Sequence, residues 1–143
     1  MADLTVTAAS VLASSNATKR KGIAGATITA GQVLYEDSAD GKFKLADADA
    51  SAALSNVVGI ALHGAANGQP LEIVTEDPLF TPGATLSNSI TGFNGCYVLS
   101  DTAGGIKPFG DIDADDYCVV LFVYLSATTA YMKIIRSTST MAA

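Results

Sequence analysis

Few side chains in this sequence could carry out chemistry. His63 is the single histidine among 143 residues, and it stands in "ALHGAANG", between an apolar stretch and a turn. A nucleophile with a histidine base, or a histidine metal site, would have to be built around that one ring. The position favours an ordinary histidine at a strand end. We therefore predict no catalytic residues and no enzymatic activity.

The acidic run "GDIDADDY" partly matches a calcium-binding loop, with Asp111, Asp113 and Asp115 at alternating positions. In such a loop the sixth position is the glycine of a sharp turn, and the twelfth is a bidentate glutamate. Here those positions hold Asp116 and Phe122. These departures favour a solvated acidic turn, so we predict no metal site. The glycines form neither a P-loop nor a GxGxxG pattern, and we predict no cofactor.

The two cysteines and the apolar runs bear on the compartment. Asp3 stands where a signal peptide needs positive charge, and "KRK" follows the mildly apolar start instead of preceding it. We therefore expect synthesis in a cytoplasm, where Cys96 and Cys118 are small apolar side chains instead of a disulfide. The longest apolar runs have about ten residues, whereas a membrane-spanning helix needs about 20. No membrane association is predicted.

Composition and charge indicate a folded, acidic protein. Hydrophobic residues make up 49% of the chain and charged residues 15%, enough apolar surface to offset the entropy of folding. The net charge of -6 argues against a nucleic-acid partner. Residues 1–21 nevertheless hold Asp3 against Lys19, Arg20 and Lys21, a net charge of +2, which leaves -8 for the rest. This basic segment is either solvated or lies on an acidic neighbouring surface.

Alternating patterns predict β-strands separated by tight turns. "GKFKLAD" and "PLEIVTE" alternate apolar with charged or exposed positions, as half-buried strands do. Turn signals fall between such strands, in "ADGK", "ANGQP", "DPLFTPG", "FNG" and "TAGG". The stretch "DADASAALSNV" from Asp47 fits a short helix or a loop.

Two stretches of the chain resemble each other and predict a duplicated β unit. "GATITAGQVLYEDSADGKFKLAD" returns in altered form as "GATLSNSITGFNGCYVLSDTAGGIKPFGD". The similarity continues through residues 26–76 and 84–137, and "DPLFTPG" joins the two halves. Units that cannot bury an apolar face alone complete a core on their copy. We predict a mainly β fold, a small β-barrel or sandwich of two pseudo-repeated units in one domain, residues 25–143. Residues 1–24 form an extended N-terminal arm.

The stretch "CVVLFVYL" is apolar on both faces of the strand that it predicts. Such a strand is either central in a covered sheet or turned toward another subunit. The second interpretation predicts a symmetric homo-oligomer whose contact uses Val120, Phe122 and Tyr124.

Taken together and in this order, five motifs resemble the family of bacteriophage capsid cement, or head-decoration, proteins. They are "AGATITAGQVLYEDSADGKFKLADADA", "NVVGIALHGAANGQPLEIVTE", "GATL", "YVLSDTAGGIKP" and "DYCVVLFVYLSATTAYMKIIRS". The resemblance covers about residues 22–137. It implies a β-rich body without enzymatic activity, commonly a homotrimer, seated on the outer capsid surface of the virion where major capsid protein subunits meet.

The same resemblance suggests a role for the N-terminal arm. In some related decoration proteins such an arm reaches over adjacent capsid subunits, which would make Lys19, Arg20 and Lys21 capsid contacts here. A different interpretation is a binding module that holds carbohydrate or a host surface with the loops around "HGAANG" and "GFNG".

Overall fold

The chain folds as a curled antiparallel β-sheet in a computed structural model that describes residues 3–87 and 95–140. Within these residues the strands are β1 (Thr18–Ile23), β2 (Val33–Glu36), β3 (Phe43–Leu45), β4 (Val57–Ala61), β5 (Pro70–Phe80), β6 (Cys96–Leu99), β7 (Ile106–Pro108), β8 (Tyr117–Tyr124) and β9 (Ala130–Thr140). The helical segments described are two short 3₁₀ turns, Ala8–Ser10 and Phe109–Asp111. None of the described helical segments has the length and apolar character needed to cross a membrane. The prediction of a mainly β fold of the barrel or sandwich type is confirmed.

The strand order is the same on both sides of a central pair. The sheet runs β3-β2-β4-β5-β9-β8-β6-β7, and β1 pairs with β5 off this path. Moving outward from the central β5–β9 pair, each side has one strand and then a hairpin. These are β4 with β2–β3, and β8 with β6–β7. The pseudo-repeats predicted for residues 26–76 and 84–137 contain matching strands in matching order, while their common origin stays a prediction.

The predicted joint between the repeats differs from the structure. "DPLFTPG" reads as a turn, yet Asp77 to Phe80 continue β5. The pairing of β5 with β9 shifts register between Asp77 and Phe80. Pro78 lies at that irregularity, where a strand tolerates a residue without an N–H donor.

The segment of residues 46–48, which we call the seam, joins the two ends of the sheet. The Ala46 carbonyl accepts a hydrogen bond from the Gly104 N–H at 2.7 Å, and the Ala48 N–H donates to the Ser100 carbonyl at 3.1 Å. The seam thus ties the end of β3 to the β6–β7 hairpin. The stretch from Asp47 continues as a loop of turns and not as a helix.

Two predicted turns depend on glycine. Gly41 has a φ of 69° and Gly68 a φ of 90°, values that residues other than glycine rarely adopt. They end the Asp-Gly and Asn-Gly pairs of "ADGK" and "ANGQP", and these turn predictions are confirmed. The predicted turn "FNG" falls mostly on residues 88–94, outside the described residues.

The predicted N-terminal arm is part of the body in the described residues. Residues 3–17, which we call the strap, run from β7 to the end of β5. The Leu4 N–H donates to the Ile106 carbonyl at 2.8 Å, and Leu12 and Thr81 exchange two backbone hydrogen bonds of 2.9 Å. The chain then forms β1 against β5. An extended arm over residues 1–24 is therefore a wrong prediction for residues 3–24.

Small apolar side chains explain why the strap lies on the body. The buried apolar residues form two clusters, and the larger one includes Phe80, Tyr97 and Phe122. Leu4, Val11, Ala13 and Ala17 pack against this larger core cluster, so separating the strap would expose apolar surface to water. The buried Asp77 accepts hydrogen bonds from the Ser14 hydroxyl and, at 2.7 Å, from its N–H. The Ala- and Ser-rich sequence of the strap has no period that would have indicated this packing.

Candidate interaction surfaces

The outward face of β8 and β9 carries four apolar side chains in two cross-strand pairs, and the exposed Lys133 lies between these pairs on β9. Val120 pairs with Ile135, and Val123 pairs with Tyr131. Val123, Tyr131 and Ile135 are 40%, 42% and 60% exposed, and Val120 is half-buried. We call these four residues the outer apolar strip. The two cross-strand pairs are three residues apart on β8, which is about 10 Å at 3.3 Å per residue.

A register shift in β8 overturns part of the predicted oligomer contact. Strict alternation would place Val120, Phe122 and Tyr124 on one face. The ladder with β9 is irregular between Val120 and Phe122, so Leu121 and Phe122 are both buried. Phe122 lies inside the core and is unavailable as a subunit contact.

The core contacts of these aromatic residues confirm their inward position. The Phe122 ring stacks on Tyr97 with centroids 5.3 Å apart and lies 6.2 Å from the Phe80 ring. Tyr124 is half-buried and packs against the same core cluster. Of the three predicted contact residues, Val120 alone belongs to the outer apolar strip. No sequence pattern pointed to Val123, Tyr131 and Ile135, because the apolar pattern of β8 does not reveal its register shift.

The basic residues of the predicted arm lie on β1, at an edge of the sheet. Among the described residues, β1 pairs along its length with β5 alone. The Arg20 guanidinium forms an ion pair with Glu36 at 2.5 Å and lies 5.3 Å from the Phe43 ring centroid. No ion pair is described for Lys19 or Lys21 within residues 3–87 and 95–140. Both lysines are exposed, and lysine on an exposed edge also hinders pairing with foreign strands.

His63 stands beside an open groove of about 360 Å³. Lys21, Pro70, Leu71 and Glu72 are among the residues that line it. The Glu72 N–H donates to Nε2 of His63 at 3.0 Å, which places the ring proton on Nδ1, and Nδ1 contacts the Gly64 carbonyl at 2.9 Å. Both ring nitrogens thus bind backbone groups and hold the strand end in place.

A buried ion pair lies next to the seam. Lys107 on β7 is 3% exposed and Asp116 is 1% exposed, and Nζ lies 2.6 Å from Oδ2 of Asp116. Nζ also lies 3.7 Å from Asp101. Burial is the largest influence on Lys107 and favours its neutral form. The hydrogen bond to Asp116 and the attraction of nearby carboxylates outweigh it, and the pKa of Lys107 is raised.

Acidic side chains surround this ion pair. Carboxylate oxygens of Asp49, Asp101 and Asp116 lie within 4.8 Å of one another. The pKa of Asp49 is raised, first by its hydrogen bond with Asp47 and then by desolvation and the neighbouring negative charges. Asp116 is one of the two residues at which the sequence departs from a calcium loop, and no spacing rule predicts its burial.

The cysteines are free thiols on neighbouring strands. Cys96 on β6 and Cys118 on β8 are both half-buried. Burial raises the pKa of both thiols, and for Cys96 the nearby Cys118 adds to the rise. High thiol pKa values keep the nucleophilic thiolate scarce near neutral pH.

No protein-family model matches this chain, and the search of curated proteins found no significant match.

Proposed function

We propose that this protein is a structural virion protein, a cement protein that decorates a bacteriophage capsid as a homotrimer and stabilises it by bridging major capsid protein subunits. It performs no enzymatic step. The outer apolar strip is the observation that carries this proposal, together with the ordered motifs that resemble the decoration family. The protein is made in the host cytoplasm and acts on the outer surface of the virion.

The outer apolar strip supports a protein partner. Single exposed apolar residues are normal on soluble proteins. Here, however, three exposed side chains and a half-buried one form two cross-strand pairs on one face, one on each side of Lys133. Exposed apolar side chains grouped on one face are typical of interaction sites, and tyrosine is enriched in their centres. We assign the strip to the contact between copies of the chain.

Two exposed lysines of β1 support a separate contact with the capsid. Lys19 and Lys21 are on an edge strand that is separated from β9 by β5, whereas Arg20 is held by Glu36. A trimer would present three such edges, and avidity turns modest single contacts into firm attachment. Because the protein would bind the assembled shell, it would stabilise that state by mass action.

Oligomeric state tests the first contact. Wild-type protein is expected to have three times the chain mass of 14.5 kDa in light scattering after size-exclusion chromatography. Tyr131→Lys and Ile135→Lys each place a charge in the strip and should give monomers. Leu12→Lys is the matched control, because Leu12 is 65% exposed and lies outside the strip. A wild-type monomer, or trimeric strip variants, would contradict this assignment.

Co-sedimentation with undecorated heads of the encoding phage tests the second contact. Lys19→Glu with Lys21→Glu should weaken binding, whereas Lys42→Glu on the β2–β3 hairpin should leave it unchanged. Deleting residues 1–21 is not a suitable test, because it removes the strap and most of β1. If both sets of variants bound heads equally well, β1 would not be part of the capsid contact.

The groove beside His63 favours a second candidate function, binding of carbohydrate or a host surface. It combines the apolar Pro70 and Leu71 with the polar Lys21 and Glu72, a mixture that suits small polar ligands. Binding on a glycan array that is lost in Glu72→Ala, without co-sedimentation with heads, would favour this function over the first. Of the loop "GFNG", Gly95 alone belongs to the described residues.

A further inference from the structure

We propose that Asp49, Asp101 and Asp116 bind a divalent cation, with Ca²⁺ as the best fit, and that this ion fastens the seam of the sheet. The three residues come from distant parts of the chain. Asp49 follows the seam, Asp101 follows β6, and Asp116 precedes β8. Nothing in the sequence alone indicates that these three residues lie close together.

The distances suit a hard cation. The three carboxylates offer oxygens within 4.8 Å of one another. Calcium binds oxygen ligands at 2.3–2.6 Å, so two ligands on opposite sides of the ion are separated by about 5 Å at most. Calcium also accepts irregular geometry and water ligands, which suits a site with two exposed carboxylates from loops.

Asp116 gives independent evidence for a ligand. Its side chain is 1% exposed. Oδ2 accepts hydrogen bonds from Lys107 and, at 2.9 Å, from the Asp113 N–H. Oδ1 is buried and has no hydrogen-bond partner. A buried carboxylate oxygen without a partner costs free energy, and a cation shared with Asp49 and Asp101 would remove that cost.

The charge balance points the same way. Three carboxylates face one ammonium group, Lys107, which contacts Asp101 and Asp116. The formal charge of this group is therefore -2, from three negative charges and one positive. No basic side chain forms an ion pair with Asp49 in the described part of the chain. A divalent ion would offset the charge of these four side chains, while Lys107 keeps its bond to Oδ2, and Asp47 beside Asp49 adds to the negative charge around the site.

A bound ion would strengthen the contact between the seam and the segments beside β6 and β8. The Ala48 N–H donates to the Ser100 carbonyl, and the Ala48 carbonyl accepts from the Tyr117 N–H at 2.8 Å. Each of these three residues precedes or follows a proposed ligand in the chain. The ion would join the same three segments that these backbone hydrogen bonds join, and its removal would loosen them together.

Calcium titration of the intact, chelator-treated chain tests the proposal. Isothermal titration calorimetry should show one site with a Kd of about 10⁻⁴–10⁻³ M, the range of sites with few fixed ligands. At a tenfold excess over Kd, the midpoint of thermal unfolding should rise by about 3–6 °C. Sodium chloride of equal ionic strength should not produce this rise.

Asparagine variants distinguish a site from general charge screening. Asp49→Asn and Asp101→Asn each remove one charge at an exposed position and should weaken calcium binding at least about tenfold. Asp115→Asn, an exposed neighbour outside the cluster, should bind like wild type. Because these positions are exposed, the test does not depend on Asp116 variants, whose folding is at risk. No calcium binding up to about 10 mM, or equal binding by all variants, would overturn the proposal.

Discussion

Replacing Phe122 by alanine tests the register shift that places this residue in the core. Phe122 is completely buried between Tyr97 and Phe80, and truncating a buried phenylalanine costs about 3–5 kcal/mol of unfolding free energy. The matched variant is Val123→Ala on the same strand. Because Val123 is 40% exposed, its truncation should cost less than about 1 kcal/mol.

Urea unfolding measures the difference directly. With a slope of about 2 kcal/mol per molar urea, Phe122→Ala should lower the unfolding midpoint by about 2 M, and Val123→Ala by less than about 0.5 M. Both variants are measured in the monomeric Ile135→Lys background, since Val123 belongs to the outer apolar strip and would be covered in the trimer. If Val123→Ala cost as much as Phe122→Ala, strict alternation in β8 would be right and the register shift wrong.

Further substitutions test the strap and the buried ion pair. Asp77→Ala removes the acceptor of two Ser14 hydrogen bonds and one from the Leu79 N–H at 2.9 Å, so stability should fall by about 2–4 kcal/mol and trypsin should cut faster at β1. Unchanged proteolysis would show that Asp77 does not hold the strap. Lys107→Met leaves the Asp116 charge buried and should cost about 3–5 kcal/mol without divalent ions, whereas Lys107→Met with Asp116→Leu should recover most of it. If the losses of stability from the two substitutions simply added in the double variant, Lys107 and Asp116 would not be energetically coupled.

Much of the fold follows from local patterns in the sequence. The apolar positions of "GKFKLAD" and "PLEIVTE" predict strands β3 and β5, and Gly41 and Gly68 mark turns that need a positive φ. Such signals depend on residues close in the chain, so a sequence reveals them. The predicted one-sided burial of "PLEIVTE" is wrong at Val74, which is buried like its neighbour Ile73. The matched order of strands in the two halves also agrees with the internal similarity of the sequence.

Other features depend on contacts between distant residues. The shift in β8 arises where Leu121 and Phe122 both find space in the core. The burial of Lys107 requires that Asp116 lie against β7, nine residues further along the chain. Neither the spacing nor the composition of the sequence encodes the register shift or the burial of Lys107. For this reason the predicted contact through Phe122 was wrong, and the acidic cluster at the seam was not predicted.

The proposed role separates two surfaces of one molecule. The outer apolar strip on β8 and β9 would hold copies of the chain together, and the lysines of β1 would meet the shell. The strap ties β1 to the body through Asp77, so a load on β1 would pass into the sheet. If calcium binds at the seam, it would stiffen the same curled sheet.

Cryo-electron microscopy of native particles of the encoding phage is the most direct test of the decoration role. We predict density on the outer capsid surface at junctions between major capsid protein subunits. It should fit three copies of this fold joined through Val120, Val123, Tyr131 and Ile135. Particles without such density, or with this chain elsewhere than on the outer shell, would contradict the proposal.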